Sequence, residues 1–222
     1  MSDLTSELVS STGSPTIEPT RRRLSPRQAE TVRRLTDAAA EEVRRTGFER
    51  LTVRNVARRA GVAPATAYSY FASKNHLITE VFWRRLSALP PVGGGGTPRD
   101  RVVAVLRATA LLLADEPELA AACTAAMLGG DPDVRELRER IGLAIRARLT
   151  AALGDGSGDA GGDGDGGDGG LAGDPAARAR VLHALEMAFA GAMVQAGMGY
   201  LSYACVADRL AEAADLILTG CG

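Results

Sequence analysis

The residues from Thr52 to Lys74, TVRNVARRAGVAPATAYSYFASK, leave the chain little conformational choice. Thr52 can N-cap a helix, because its side-chain oxygen takes a backbone N–H that a helix start leaves open. Val53, Val56, Ala57 and Ala60 then recur at the spacing of one helix face. Gly61 follows, the residue type that reaches the left-handed conformation ending a helix. Val62 plugs the turn with an apolar side chain, and Pro64 presets φ for the next helix. So few residues separate the two helices that they must cross steeply, as in a helix-turn-helix.

The rest of the sequence agrees with an all-α fold. At 222 residues and 45% hydrophobic content the chain can bury one or two cores, and only 4% of it is aromatic. No alternating Val/Ile/Thr-rich segment bounded by turns occurs. Helix starts repeat one device, a capping residue followed by proline: Ser25-Pro26 (with Gln28 completing a capping box), Thr97-Pro98, Asp131-Pro132 and Asp174-Pro175. Helix 1 runs to about Thr46 with Val32, Leu35, Ala39 and Val43 on one face, and Gly47 stops it. Phe48 and Leu51 pack the entry to the turn motif. Ser73 caps a fourth helix through Leu77, Ile78, Val81, Phe82 and Leu86, with Trp83 as a packing residue. Pro90 to Gly96 breaks the chain. Later helices are expected at about 98–114, 117–128, 132–153, 175–199 and 203–219. The expectation is about nine helices: an N-terminal three-helix helix-turn-helix head and a larger C-terminal helical bundle. The units are 1–24, a disordered tail ending in the basic arm Arg21–Arg23; 25–89, the head; and 97–220, the body, with a Gly/Asp-rich flexible loop at 154–173.

Charge is divided along the chain. Between Arg21 and Pro90, 14 Arg and one Lys face six acids, a surplus of nine positive charges. Residues 91–222 hold 11 Arg against 18 acids, a deficit of seven. A basic module on an acidic one is the electrostatic footprint of a nucleic-acid-binding head on a body that does not bind nucleic acid. Arginine coating solvated helix faces would leave the same composition. The Arg21–Arg23 arm suits phosphates or the minor groove as well as it suits a solvated tail.

Thr52, the Ala60-Gly61-Val62 turn, Thr66, Tyr68, Tyr70-Phe71 and Ser73-Lys74 fall in register, without gaps, with the TetR-type family of bacterial regulators, which the chain resembles over about residues 27–87. The resemblance implies a DNA-binding regulator. Arg54 matches the family's base-contacting position, and its fork suits guanine O6 and N7. Pro64, Ala65, Thr66 and Ala67 form the exposed start of the recognition helix, where Thr66 can bond a phosphate or base and the others offer apolar contact. Tyr68 and Tyr70 resemble the family's phosphate-contacting hydroxyls and Lys74 a phosphate-contacting amine, while Thr52 can add its hydroxyl or backbone N–H. Ala63 departs from the family's Ser or Thr, so a cap is expected to be missing there.

The same resemblance implies a homodimer, through the last two helices (about 175–199 and 203–219), on a double-stranded DNA operator. It also implies a small-molecule effector in the body. Isolated polar or soft residues on apolar helices are the candidates for its pocket: Thr109, Cys123, Thr124, Met127, His183, Met187 and Gln195. Each also suits an ordinary packed core. The composition favours an apolar ligand. The expected function is a dimeric repressor released by such a ligand; the alternative is an activator or architectural protein without one.

An enzyme is disfavoured, because His183 and the cysteines are dispersed and neither a phosphate-cradling glycine loop nor a triad order occurs. No metal or other cofactor is expected: Cys123, Cys205 and Cys221 lack ligand spacing, and the Asp/Gly segment lacks the closing Glu of an EF-hand loop. With no signal peptide and no apolar run of spanning length, a cytoplasmic location without membrane contact is the expectation.

Overall fold

The structure, a computed structural model, describes residues 25–154 and 174–220. The expected N-terminal tail with its Arg21–Arg23 arm, the Gly/Asp-rich loop beyond Gly154, and Cys221 lie outside the described residues. Among the described residues the fold is all-α, with nine α-helices: α1 (Pro26–Thr46), α2 (Val53–Ala60), α3 (Pro64–Tyr70), α4 (Lys74–Ala88), α5 (Pro98–Ala110), α6 (Pro117–Leu128), α7 (Arg135–Leu153), α8 (Pro175–Gly197) and α9 (Tyr203–Thr219). Short 3-10 turns follow α5 (Leu111–Leu113) and precede α7 (Pro132–Val134).

The caps form as the sequence dictates. Ser25 and Gln28, Thr52 and Asn55, and Thr97 and Asp100 close reciprocal capping boxes. Two helices end by one device: the Val62 N–H reaches back to Ala57 O at 2.9 Å around Gly61 (φ +63°), and the Tyr200 N–H to Gln195 O at 3.0 Å around Gly199 (φ +80°). Each bond satisfies a carbonyl that the helix end would leave open, and each requires a left-handed residue. Gly199 therefore ends α8 two residues before the boundary expected near 199. The helix expected at 98–114 tightens into the 3-10 turn after Ala110, and the one expected from 132 starts with a 3-10 turn before becoming α at Arg135.

One continuous core runs through the molecule. Val32, Leu35, Ala39 and Val43 of α1 are fully or nearly fully buried, as are Val53, Val56 and Ala57 of α2. Helix α4 is the shared element, with Leu77, Ile78, Val81, Phe82 and Leu86 buried; it packs against α1, α6 and α7. Each such side chain adds roughly 1.5–3 kcal/mol of burial, so α4 is joined to both sides of the molecule. At the far side α9 packs on α5 and α8.

Ionic contacts fix the helix–turn–helix on α1. The buried carboxylate of Glu42 receives Arg45 at 2.7 Å and Arg59 of α2 at 2.7 Å. Arg34 donates to the Ala60 and Gly61 carbonyls, covering the exit of α2. Glu116, the residue just before α6, receives Arg44 of α1 at 3.1 Å and Arg85 of α4 at 2.6 Å. Burial alone would raise the Glu116 pKa; the two guanidinium groups outweigh it and hold the carboxyl below its ordinary value.

Candidate nucleic-acid interface and body cavity

Helices α2 and α3 form the turn motif, and each expected contact residue has a definite environment. The Thr52 backbone N–H is donated to Asn55 Oδ1 at 2.9 Å, and the Thr52 hydroxyl oxygen accepts the Asn55 N–H at 3.1 Å. The N–H is thus engaged within the box, while the hydroxyl keeps its proton for an outside acceptor. Ala63 makes no side-chain cap at the start of α3. Pro64, Ala65 and Thr66 are exposed, and Tyr68 is 51% exposed. Ala67 is a correction to the sequence reading: it is fully buried, and Phe71, one turn on, is nearly so. A seven-residue helix laid against α2 must bury one face, and these two residues supply it. Tyr70 is half-buried against the same core.

The arginines of this region fall into two groups. Arg33, Arg44, Arg45, Arg59, Arg84 and Arg85 are each matched to a carboxylate, and Arg34 is engaged with carbonyls. Arg27, Arg50, Arg54 and Arg58 are exposed and have no ion-pair partner among the described residues. Arg54 and Arg58 lie one turn apart on α2, so they face the same side. Arg50 and Arg58 were missed by residue matching; the signal that finds them is the absence of an acidic partner, visible only in three dimensions.

Lys74 is engaged within the protein. Its ammonium donates to Phe48 O at 3.1 Å and Glu49 O at 3.4 Å, and sits 4.4 Å from the Phe48 ring centroid. It ties the start of α4 to the loop between α1 and α2, and a lysine's third N–H is left for another acceptor.

In the body a cavity of about 730 Å³ opens between α6, α7 and α8. Of the expected pocket residues, Thr124, Met127, His183 and Met187 line it. Thr109 and Cys123 line a smaller space of about 10 Å³ alongside, which shares Phe82, Thr124, Met127 and Met193 with the large one. Gln195 is exposed and lines neither. Cys123 donates toward Ile78 O at 3.8 Å, and burial pushes its thiol up to about 12, so it is inert at neutral pH. The floor is apolar, with Phe82, Ile141, Ile145, Phe189 and Met193; the charged residues Arg138, Glu139, Arg146 and Glu186 also line the space. These were not among the expected residues, although Glu186, Met187, Ala190 and Val194 recur at helical spacing on α8.

A helix-turn-helix with unpaired arginines on one side, held on a helical body that contains a mostly apolar cavity, defines a DNA-binding transcriptional regulator. Residues 35–81 match the sequence pattern of the bacterial regulatory proteins of the tetR family. The chain is 49% identical over 173 residues to an uncharacterized HTH-type transcriptional regulator of Mycobacterium tuberculosis, across 77% of this chain and 72% of that protein. It is 29% identical over 115 residues to the HTH-type transcriptional repressor KstR of Mycolicibacterium smegmatis, across 50% of this chain and 56% of KstR. A TetR transcriptional regulator from Rhodococcus sp. RHA1 shares the fold with a TM-score of 0.64 at 25% identity, covering 83% of this chain and 95% of that one. The transcriptional regulator FadR of Bacillus subtilis, solved in complex with stearoyl-CoA, shares the fold with a TM-score of 0.57 at 18% identity, covering 85% of this chain and 98% of that one. The chain belongs to the TetR family of transcriptional regulators. Among the described residues no helix is long and apolar enough to cross a membrane.

Proposed function

We propose that the chain is a homodimeric repressor that leaves its operator when an apolar molecule fills the cavity between α6, α7 and α8. The observation that carries this reading is Phe82. It belongs to α4, the helix separated from the recognition helix α3 by three residues, and it lines the cavity in the body. A ligand pressing on Phe82 moves α4, and α4 carries the head. The name of the KstR relatives as repressors supports repression.

On DNA, residues 25–89 act as the reading unit and residues 97–220 as the ligand and dimer unit. Arg54 takes the role of base reader, and Thr66 and the apolar Pro64 and Ala65 meet the groove. Tyr68, Tyr70, the Thr52 hydroxyl and the remaining Lys74 N–H meet phosphates. The exposed apolar side chains of Met198, Tyr200 and Leu216, at the end of α8 and on α9, support pairing of two copies there. A two-fold dimer must hold its recognition helices about 34–36 Å apart, or a multiple, to engage successive major grooves, so a small rotation of both α4 helices releases the DNA.

The test is a mobility shift on the DNA upstream of the protein's own reading frame, repeated with apolar compounds at rising concentration. Binding that weakens with a cavity-filling compound, and no longer does so in a Phe82→Ala variant that still binds DNA, supports the reading. DNA binding indifferent to every compound that measurably binds the protein overturns the release mechanism.

A further inference from the structure

We infer that the cavity selects uncharged apolar ligands over anionic ones, and that the Arg146–Glu186 ion pair decides this. The inference rests on the reading of the cavity as the effector site.

Two arginines line the cavity, and each is already engaged within the protein. Arg146 of α7 donates through Nε and Nη2 to the two oxygens of Glu186 on α8, both at 2.6 Å. This is the bidentate geometry in which guanidinium and carboxylate satisfy one another. Arg138 donates to the carbonyls of Met127 and Gly129, each at 2.9 Å, at the end of α6. It is engaged by backbone groups that α6 leaves open. Two acids line the same space. Glu186 is matched by Arg146, whereas Glu139 is exposed and has no ion-pair partner among the described residues. His183 adds an imidazole that can donate or accept a hydrogen bond.

A carboxylate or phosphate entering this space gives up part of its water and meets apolar walls, a matched ion pair, and one further cation (Arg138) and one further acid (Glu139), so the lining offers it no net positive charge. Burying an anion without a partner is strongly unfavourable. To gain Arg146 as a partner it has to displace Glu186, which then faces it as a like charge. A hydroxyl or carbonyl head loses far less on entry and finds the His183 imidazole as a hydrogen-bonding group. The favoured ligand is therefore a largely hydrocarbon molecule with an uncharged polar end.

The experiment is calorimetric titration of the full-length protein at pH 7.5 with decanol and decanoate, which share a chain and differ in charge. Wild type is expected to bind decanol at least about tenfold more tightly, the difference of one charge-assisted hydrogen bond. Glu186→Gln, which frees the guanidinium of Arg146 at nearly constant shape, is expected to tighten decanoate about tenfold and leave decanol within about twofold. Unchanged decanol binding reports that the variant is folded. Arg146→Gln is a second arm, in which decanoate is expected to stay weak. Decanoate equal to or tighter than decanol in wild type overturns the selectivity and leaves the effector site standing. A Glu186→Gln variant with an unaltered ratio overturns the role of the ion pair. Absence of binding by either probe overturns both the selectivity and the effector-site reading.

Discussion

The Ser73 hydroxyl donates a 2.6 Å hydrogen bond to Oδ2 of Asp131, while the Ser73 Oγ itself accepts the His76 N–H at 3.0 Å. One side chain thus caps the start of α4 and fastens it to the turn that follows α6. Asp131 also receives Asn75 Nδ2 at 3.2 Å and the Asp133 N–H at 3.0 Å. Replacing Asp131 by Ala removes the acceptor of all three and leaves two partly buried side-chain donors unmatched. The expected loss is about 1–3 kcal/mol in urea-induced unfolding. A loss within the error of the measurement means that α4 is held to the body by packing alone.

Acidification removes a related contribution. Hydrogen bonds from Arg45 and then Arg59 hold Glu42 below its ordinary value of 4.5 against burial, which would raise it. The hydrogen bond from Ser73 holds Asp131 below 3.8, again against burial. Because both folded values are depressed, the unfolded chain binds more protons than the folded one in this range. The stabilisation is fully present above 4.5, declines as the pH falls through the unfolded values, and is lost below the folded ones. The urea midpoint should hold from neutral pH to about 5 and fall steeply toward 3. Glu42→Gln should lower the plateau and flatten the descent; an unchanged descent would exclude Glu42 as a source.

Gly197 illustrates close approach used within one chain. A Cβ placed there would lie 2.4 Å from Thr124 Cγ2 and 2.6 Å from Thr124 Cβ, so α8 meets α6 at a distance that only glycine allows. Thr124 is buried and cannot swing aside. Gly197→Ala is expected to cost about 1–3 kcal/mol by overpacking, and because Thr124 lines the cavity, to weaken binding of a cavity ligand as well. Thr124→Ala in the same chain should restore most of the lost thermal stability, giving a coupling of opposite sign to the single effect. Additive losses would place the strain elsewhere.

What could be read from the chain follows the range of the interactions. Helix starts and stops depend on a few adjacent residues, which is why Ser25-Pro26, Thr52, Gly61 and Asp174-Pro175 were legible. The helix-turn-helix was legible for the same reason. Ala67 was not: whether a residue of α3 faces groove or core depends on the crossing of α3 over α2, which three alanine-like positions in a row do not encode. Gln195 lies among apolar residues of α8 yet on the outward side, a matter of helix rotation. Arg146 and Glu186 are 40 positions apart, and only the register of α7 against α8 brings them together. Their partnership, which removes one cation and one acid from the free charges of the cavity, was invisible in composition.

The same distinction between matched and unmatched cations makes the final prediction. Each arginine that meets a phosphate releases counterions, so its removal lowers the slope of log affinity against log salt by about 0.9. Arg54 and Arg58 share a side of α2 and lack ion-pair partners, and neither makes a hydrogen bond that holds the fold. Arg58→Ala is therefore expected to reduce the salt slope by about one and weaken binding to all sequences alike, with thermal stability within about 0.5 kcal/mol of wild type. Arg54→Ala should add a loss of discrimination between operator and altered bases, about 1–3 kcal/mol at the base pair that it reads. Lys74→Met should behave differently. Its ammonium bonds two carbonyls of the α1–α2 loop, so the variant should lose about 1 kcal/mol of stability whether or not DNA is present. Fluorescence anisotropy across a salt series, paired with thermal unfolding of each variant, separates the roles. An Arg58→Ala variant with an unchanged slope would remove α2's outer turn from the interface, and a fully stable Lys74→Met variant would mean that the ammonium's two carbonyl bonds do not hold the fold.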